Sequence, residues 1–465
     1  MTSPTATQSS ARTGPADPDT PAHVAEPTGP PAPSTGSPLR SRDFRLLLSA
    51  YGISAVGSEV TVLAIPLAAA VLLGASPWQM GLLTAAGAAP YTGFSLLVGA
   101  WVDRLRRRRP LMVAADLVAA GTLLTVPLAW AFDALTVTQL VLVELLVGTA
   151  RVTFRPTFNV HLPDVVPDEA IPAASSRLRA AEAGAMLAGP GLAGTLVQVL
   201  TAPVAVLVDA ASFLASAVLV GRVRSPERLG HVAPPRRRLR AEIAEGLTHL
   251  FRDGRLRAIA LAAASVNFFG LMIFALLVVY LVRVHHFSPL LVAAVTVAGG
   301  IGSLVGALLA PRVSDRIGRG RTILVASAVF SVGMLAFPMA DGPRWLVLSV
   351  LSANEVVVGI GIMLFDVTVG AFVITDTPRE LLGRVSSSLS TVTQGVKAAG
   401  ALTGGALATA VGIRPALWVA ALGATTTVLW VWFSPFRSEP ADQPASSEQP
   451  EQPDQPDQAA GPQST

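Results

Sequence analysis

The chain has 465 residues, of which 51% are hydrophobic and 14% are charged. A soluble globular domain has roughly 25% charged residues. Here the charges cluster and leave apolar runs of about 20 residues between them, each long enough to cross roughly 30 Å of hydrocarbon. This composition excludes a soluble enzyme and a nucleic-acid-binding domain, and the absence of cysteine excludes disulfides, thiolate metal sites and cysteine nucleophiles.

The chain also lacks the motifs of a metal or nucleotide site. Its six histidines have no metal-ligand spacing, and no His-Glu-x-x-His or Gly-x-x-x-x-Gly-Lys-Ser/Thr motif occurs. We therefore expect no metal and no other cofactor. An energy-requiring activity of this chain must draw on something other than nucleotide hydrolysis.

Both ends of the chain are polar. Residues 1–38 are rich in Pro, Ser, Thr, Ala and Gly and have no apolar stretch, which excludes a signal peptide and predicts a disordered cytoplasmic tail. Residues 437–465 repeat Gln-Pro with acidic residues and predict a second, acidic disordered tail.

Between the tails, twelve apolar segments are long enough to span a membrane as helices. In chain order they lie at residues 46–73, 79–102, 110–131, 137–157, 173–199, 203–221, 257–282, 289–311, 321–340, 345–368, 386–411 and 415–434. We therefore predict an all-α membrane protein with twelve transmembrane helices. The even number places both termini on the same side of the membrane.

The distribution of arginine indicates which side this is. Arginines concentrate in connections after even-numbered segments, above all at 103–109 and 222–256, whereas the other connections hold only Arg283, Arg344 and Arg414. Because positively charged loops stay in the cytoplasm, we expect a multi-pass protein of the cell membrane with both termini cytoplasmic.

The longest connection, residues 222–256, contains an amphipathic pattern. Leu247, Leu250 and Phe251 recur at helical spacing, opposite charged residues such as Arg252. A helix of this kind lies in a membrane interface, and we expect it on the cytoplasmic side.

The chain contains an internal repeat. Three residues of segment 4 recur in segment 10 at an offset of 211 positions: Glu144/Glu355, Gly148/Gly359 and Phe154/Phe365. The repeat predicts two six-helix halves, residues 39–221 and 257–436, in parallel pseudo-twofold relation and joined by the linker 222–256. Parallel halves are a transporter architecture with the binding site between them, near the middle of the membrane.

Each half carries an Asp-Arg motif in the connection after its second segment. The candidate gating residues in these motifs are Asp103, Arg104 and Arg107 in the first half and Asp315, Arg316 and Arg319 in the second. An Asp at a helix end accepts hydrogen bonds from the start of a neighbouring helix, while the arginines pair with acids and lipid phosphates. We expect Asp103 to close the cytoplasmic face against segment 11 and Asp315 to do so against segment 5. The alternative is that these charges only fix the topology.

These motifs resemble the signature of the major facilitator superfamily, Gly-x-x-x-Asp-Arg-x-Gly-Arg-Arg/Lys, from which the two copies depart at Arg106 and Pro311. The resemblance extends from about Asp43 to Phe436 and is closest to the branch of macrolide and siderophore exporters. It implies a twelve-helix secondary transporter in which segments 1, 4, 7 and 10 line a central cavity.

Segment 5 carries a helix-packing motif formed by Gly189, Pro190 and Gly194. Small residues let helices approach closely, and proline bends a helix. The motif is similar to the signature of drug/proton antiporters in this segment. Segment 8 has a stripe of three glycines: Gly299, Gly302 and Gly306. We expect segment 5 to pack on this stripe.

Charged side chains inside a membrane cost about 2.5 to 3.5 kcal/mol each on insertion scales and are therefore functional candidates. Glu59 lies in the middle of segment 1, and Glu144 and Glu355 lie at matching depths in segments 4 and 10. An apolar cavity favours the neutral form of a carboxyl group, so that a proton can bind and leave. These three acids are the candidates for proton coupling.

Static roles are open for the same acids. Glu59 can instead form a fixed hydrogen bond to neighbouring backbone or to Asn267. Glu144 can form a fixed ion pair with Arg151, which lies seven residues later on the same helical face. Arg151 and Asn267 are therefore candidate cavity residues as well.

The remaining charges within the segments have simpler interpretations. We expect Asp116 to pair with the arginines at 104–109, Asp209 to be structural, and Lys397 to be a counter-ion. Glu182 can be either structural or functional.

Arg155 and Asp366 occupy equivalent positions in the two halves, each eleven residues after its glutamate. The related exporters usually have an Asp where this chain has Arg155. If segments 4 and 10 face each other, the two residues form a gate ion pair that is made when the cytoplasmic side closes. The alternative is that each finds a partner within its own half.

We interpret the chain as a secondary transporter, not an enzyme, that exports a small amphipathic or hydrophobic compound, an antibiotic or natural product, by proton antiport and alternating access. The expected partners are a small-molecule substrate, protons and membrane lipids; we expect no nucleic acid and a monomer. The alternative is a siderophore exporter or proton-coupled importer on the same fold. A membrane receptor or lipid-modifying enzyme is disfavoured because the segments contain no pattern of a nucleophile–base pair or metal cluster.

Overall fold

The computed structural model describes residues 38–93, 107–227 and 239–434. Asp103 and Arg104 of the first Asp-Arg motif lie outside the described residues. So do both predicted tails, except for Pro38.

The described residues form helices joined by short connections. In chain order they are α1 (Arg42–Leu67, continued by a π-helical turn, Ala68–Leu72), α2 (Pro77–Gly93), α3 (Arg109–Ala131), α4 (Val137–Val165), α5 (Ile171–Leu200), α6 (Ala202–Gly221), α7 (Leu239–Arg252), α8 (Gly254–Arg283), α9 (Pro289–Ile317), α10 (Arg319–Met339), α11 (Arg344–Asp376), α12 (Arg379–Val411), α13 (Ile413–Ala424) and α14 (Thr426–Trp432). Short 3₁₀ turns, Pro38–Arg40 and Asp168–Ala170, precede α1 and α5.

Every predicted segment coincides with a helix. Ten stretches of the described residues are long and apolar enough to cross a membrane, and α13 and α14 together form the last of them. Segment 2 corresponds to α2, described as far as Gly93, and segment 11 to α12, which is long but more polar. The helices of segments 4 and 10 extend beyond the apolar runs: α4 continues to Val165 and α11 to Asp376. Polar residues in these last turns continue the helices beyond the apolar runs.

The helix contacts repeat in the two halves. In the N-terminal half, α1 packs on α5 and α6, α2 on α4, and α3 on α4 and α6. In the C-terminal half, α8 packs on α12 and α13, α9 on α11, and α10 on α11 and α13. The halves contact each other through α2 with α12 and α5 with α9, which are equivalent pairs under the same repeat. The parallel pseudo-twofold arrangement predicted from the sequence is therefore confirmed.

We call the end of the bundle at which α1 begins the basal end, and the opposite end the apical end. Near the apical end, one cluster of buried apolar residues joins the two halves, with Leu67 and Val279 among its members. Toward the basal end, each half has its own cluster, around Phe44 in the N-terminal half and around Phe365 in the C-terminal half. The described residues thus form a bundle that is joined at its apical end and divided toward its base.

The helix predicted in the linker is present as α7, and its described side chains pack on the basal end of α12. Leu250 is fully buried in the basal cluster of the C-terminal half. Arg384 of α12 donates a hydrogen bond to Glu245 at 2.6 Å. Gly246 brings the two helices together, since a Cβ added there would lie 2.7 Å from the carbonyl oxygen of Arg384. Part of the apolar face therefore contacts protein, while Phe251 stays exposed.

Candidate functional site

A cavity of about 200 Å³ lies within the N-terminal half, and we call it the N-half cavity. Its charged and phenolic lining residues are Tyr51, Glu59, Tyr91, Asp116, Arg151, Arg155 and Glu182. They come from five different helices, α1 to α5. The side chain of Arg155 is 54% exposed although it faces this cavity, so water reaches the cavity there.

Arg151 of α4 pairs with Asp209 of α6. Its Nη2 lies 3.5 Å from Asp209 Oδ2, and the Asp209 side chain has no exposed surface. Asp209 also accepts a hydrogen bond from Ser212 Oγ at 3.0 Å. Arg151 thus does not form the fixed pair with Glu144 that the sequence left open, because its guanidinium points across to α6 instead of along its own helix. Asp209 has the structural role that the sequence suggested, and its partner is this arginine.

Arg155 of α4 pairs with Glu182 of α5. The two side chains form a hydrogen-bonded ion pair in which Arg155 Nη2 lies 2.5 Å from Glu182 Oε1. In this arrangement Arg155 thus has a partner within its own half. A contact with Asp366 in another arrangement of the halves stays a prediction.

Asp116 of α3 lies inside the N-half cavity and only 1% of its surface is exposed. Ser216 of α6 is the polar side chain that faces Asp116. The Oδ2 atom of Asp116 has no hydrogen-bond partner among the described residues. The expected pairing with the basic connection is wrong for the arginines that the structure describes there. Arg108 pairs with Asp164 at 3.3 Å, and Arg109 donates to the Ser225 carbonyl at 2.7 Å. The available sequence signal for a cavity residue was that Asp116 is a charged side chain inside an apolar membrane segment, one turn beyond Met112.

Glu59 lies where the N-half cavity approaches the C-terminal half. It lines the N-half cavity and also a small junction cavity of about 40 Å³ that Phe274 and Leu277 of α8 share. Gly189 lies directly against the Cβ of Glu59, so that a side chain at position 189 would collide with it. The packing motif of α5 therefore makes room for this glutamate.

The C-terminal half contains a second cavity of about 400 Å³, the C-half cavity. Phe274 and Leu277 line it as well as the junction cavity, and most of its other lining residues are apolar. Its polar lining residues are Asn267, Glu355, Asp366 and Lys397. The two cavities thus differ in charge: five charged side chains line the first and three line the second.

Three polar residues of the C-half cavity bear on alternatives that the sequence left open. Asn267 donates its side-chain N–H to the carbonyl of Ala263 in its own helix at 2.8 Å and does not bind Glu59. Asp366 and Lys397 each act electrostatically on the other. The role of Lys397 as a counter-ion stays a prediction.

Glu144 and Glu355 occupy equivalent positions against the neighbouring helix. A Cβ added at Gly87 of α2 would lie 2.9 Å from Glu144 Oε2, and one added at Gly299 of α9 would lie 2.7 Å from Glu355 Oε2. Both carboxyl groups therefore rest on a glycine of the second helix of their half. Glu355 also lines the C-half cavity, whereas Glu144 lines none of the three cavities described above.

The glycine stripe of α9 does not receive α5 as expected. Cβ atoms added at Gly302 and Gly306 would collide with the backbone of α11 in the same half. The α5 helix contacts α9 elsewhere: Gly194 rests on Ala293. The prediction failed because the spacing of glycines shows which face is smooth but not which helix covers it.

The described gating residues of the Asp-Arg motifs lie at the basal end. Arg107, Asp315 and Arg316 are exposed. Arg319 donates a hydrogen bond to Thr375 Oγ1 at 2.7 Å and joins the start of α10 to the end of α11. Their gating role stays a prediction for an arrangement in which the base is closed.

The model of the Major Facilitator Superfamily matches residues 47–401. The chain belongs to the Major Facilitator Superfamily. It is a multi-pass membrane protein of a family of transporters.

Two relatives have similar sequences over most of their length. The uncharacterized MFS-type transporter YfiS of Bacillus subtilis (strain 168) is 26% identical over 386 residues, which cover 80% of this chain and 88% of that protein. The multidrug efflux pump Tap of Mycobacterium tuberculosis (strain ATCC 25618 / H37Rv) is 26% identical over 397 residues, which cover 83% of this chain and 91% of that protein.

Solved structures of other transporters share the fold. The nucleoside transporter NupG matches with a TM-score of 0.67 at 14% identity, over 84% of this chain and 98% of that chain. A bacterial homologue of the iron transporter ferroportin, solved in an inward-facing state, matches with a TM-score of 0.68 at 15% identity, over 87% of this chain and 100% of that chain.

Proposed function

We propose that this superfamily member exports small amphipathic or hydrophobic compounds, such as an antibiotic or a natural product, in exchange for protons and by alternating access. The basal end faces the cytoplasm, both termini lie on that side, and the protein works as a monomer. The observation that carries the proposal is the position of Glu59 between a charged and an apolar cavity.

The C-half cavity supports an apolar or amphipathic substrate. Phe274, Phe330, Met334 and Phe337 line it, and aromatic and methionine side chains bind apolar molecules of varied shape. A hydrophilic siderophore would leave its many polar groups without partners on such walls. The lining therefore favours an apolar substrate over the alternative.

Glu59 supports coupling to protons. It is the acid that lines both the N-half cavity and the junction cavity. A carboxylate at this depth needs a proton or a cation to offset the loss of hydration. Proton binding at Glu59 therefore competes with a cationic or amphipathic substrate that approaches along α8, which is the basis of an exchange.

Direction is supported by the family and by the relatives. The similarity to a protein named as a multidrug efflux pump favours export. The division of the bundle at its base gives a compound in the cytoplasm or inner leaflet a path to the C-half cavity. Closing the base and opening the apical end then releases it outside.

The experiment is energised efflux of rhodamine 6G from cells that express the protein, with and without a protonophore. We expect efflux by the wild type that the protonophore abolishes. Glu59→Gln should reduce uphill efflux to the level of cells without the protein, because the amide cannot carry a proton. Glu169→Gln is the matched control: this glutamate is exposed in the turn before α5, and the variant should behave as the wild type.

Three results would contradict the proposal. Protonophore-sensitive efflux by Glu59→Gln at normal membrane levels would remove Glu59 from coupling. Protonophore-resistant efflux by the wild type would remove the proton gradient. Concentrative uptake of the dye would make the protein an importer.

A further inference from the structure

The ion pairs of the N-half cavity leave some of its acids without a counter-ion. Two arginines and four acids belong to this region: Arg151, Arg155, Glu59, Asp116, Glu182 and Asp209. Asp209 forms an ion pair with Arg151, and Glu182 forms one with Arg155. Among the described residues, Glu59 and Asp116 then have no ion-pair partner, although both line the cavity.

Asp116 is the more buried of these two acids. Only 1% of its surface is exposed, and one carboxylate oxygen has no hydrogen-bond partner within the described part of the chain. The charge that acts on it most directly is Asp209, which is also a carboxylate. An ionised aspartate without a cation in such a place carries a large desolvation cost, which a bound proton removes.

The titratable and charged groups around Asp116 come from each neighbouring helix. They are Tyr51 and Glu59 of α1, Tyr91 of α2, Arg151 and Arg155 of α4, Glu182 of α5 and Asp209 of α6. Both arginines are engaged by other acids, so that none of these groups offers Asp116 a free positive charge.

Asp116 lies nearer to the base than Glu59 does. The connection after α6 fixes the starts of α1 and α3 at a similar level, since Asp43 accepts from the Ser225 N–H at 2.7 Å and Glu227 accepts from the Arg109 N–H at 3.0 Å. At 1.5 Å per residue, Asp116 is then about 10 Å from the start of its helix and Glu59 about 25 Å from the start of its own. The cavity thus holds two uncompensated acids at different depths.

We propose that Asp116 is a second proton-binding residue of the N-half cavity, which carries a proton in addition to the one on Glu59. This inference rests on the proposed proton antiport and specifies its stoichiometry. In the protonated state, the O–H bond is on an Asp116 carboxylate oxygen. When substrate enters from the base, that bond breaks, the proton passes to water, and the negative charge left on Asp116 faces the cavity.

The first experiment measures protonation without transport. Infrared difference spectra of the purified full-length protein at two pH values show the carbonyl band of protonated carboxyl groups. Labelling with [4-¹³C]aspartate shifts the aspartate part of this band. We expect an aspartate component in the wild type that Asp116→Asn removes or reduces, and that Asp133→Asn leaves unchanged. Asp133 is an exposed residue with φ 53° at the apical end of α3, a conformation that asparagine tolerates.

The second experiment counts protons. Rhodamine 6G is added to weakly buffered solutions of the purified protein with a pH indicator. Asp116→Asn and Glu59→Gln should each release roughly half as many protons as the wild type, because each removes one of two coupled sites. The double variant should release none. Thermal melting of each variant verifies the fold. If Asp116 had a purely structural role, Asp116→Asn would release as many protons as the wild type.

The outcomes separate this inference from the proposed function. If the band of labelled wild-type protein stays where it lies without the label, it has no aspartate component, and the inference is overturned. This measurement needs only the wild type, so it holds even if Asp116→Asn does not accumulate. Equal proton release by Asp116→Asn and the wild type also overturns it. A different result is that the aspartate band disappears in Asp116→Asn while neither the wild type nor any variant pumps the dye. The protonation of Asp116 is then supported and the antiport is refuted.

Discussion

Arg151 and Asp209 join α4 to α6 in the interior of the N-terminal half, with Nη2 and Oδ2 3.5 Å apart. Asp209 is held firmly against α1, because a Cβ added at Gly57 would lie 2.7 Å from its Oδ1. Arg151 is less fixed: its Nε and Nη2 atoms have no hydrogen-bond partner in the described residues. The pair therefore consists of an anchored anion and a more loosely held cation.

Asp209→Asn should destabilise the protein. Removing one partner of a buried ion pair costs about 3 to 5 kcal/mol, and we expect the low end because the Arg151 side chain is 23% exposed. The check is the melting temperature of the purified variant. Asp209→Asn with Arg151→Met should melt higher than Asp209→Asn alone, because no uncompensated charge is left. A double variant that melts no higher than Asp209→Asn alone would contradict this account.

Gly194→Ala should open the apical end. The added methyl group would collide with Ala293 Cβ and lie 3.1 Å from the Pro289 carbonyl oxygen, which forces α5 and α9 apart. We expect faster labelling of a single cysteine introduced at Val197, which is buried in the apical cluster, on this cysteine-free background, together with slower efflux. Gly184→Ala is a matched control in the same helix, since its methyl group would meet no atom within 4 Å. Equal labelling rates in the two variants would show that this contact does not hold the apical end closed.

The gate hypothesis requires Arg155 to exchange partners. It pairs with Glu182 in the present arrangement and is predicted to meet Asp366 when the base closes. Arg155→Asp should impair efflux by electrostatic repulsion, and the addition of Asp366→Arg should restore a substantial part of it.

A cysteine pair provides an independent test of this gate. Arg155→Cys with Asp366→Cys should form a disulfide on oxidation only if the two positions approach each other during the cycle. The expected result is cross-linking that substrate binding from the base slows. Additive losses in the charge-swap series and no cross-link at normal membrane levels would mean that the two residues do not meet.

The stability of the connection between α8 and α9, at the apical end, should depend on pH through His285. This histidine lies between α8 and α9, packs edge-on against Tyr280 with ring centroids 4.8 Å apart, and is buried. Burial, and then the positive charge of Arg414, lower its pKa from the usual 6.5. Because the folded protein favours the neutral ring, the stabilisation is present above pH 6.5 and is lost as the pH falls through the lowered pKa.

Melting temperatures across this range test the prediction. The wild type should lose stability on acidification, and His285→Gln should lose less of it between pH 6.5 and the acid limit, although it starts from a lower value at neutral pH. His286→Asn is the control, since His286 is exposed and has φ 52°, which asparagine tolerates. Identical acid profiles of the wild type and His285→Gln would contradict it.

The broad architecture follows from the sequence because it depends on one-dimensional quantities. The length of an apolar run decides whether a helix can span the membrane, and the offset of 211 between Glu144 and Glu355 decides that the halves repeat. The depth of Glu59 follows from counting residues along α1. Each of these properties can be read within a single helix or between two copies of one pattern.

Only the tertiary structure decided which residues are partners. Helical periodicity places Arg151 on the face of Glu144, but the ion pair joins Arg151 to Asp209, two helices later in the chain. The glycines of α9 likewise define a smooth face, which α11 covers instead of α5. The direction of a side chain is set by its own helix, whereas the group that it meets is set by the rotation and crossing of a neighbouring helix. Asp116, isolated from a counter-ion in the described structure, is a consequence of that packing and was not visible in the sequence.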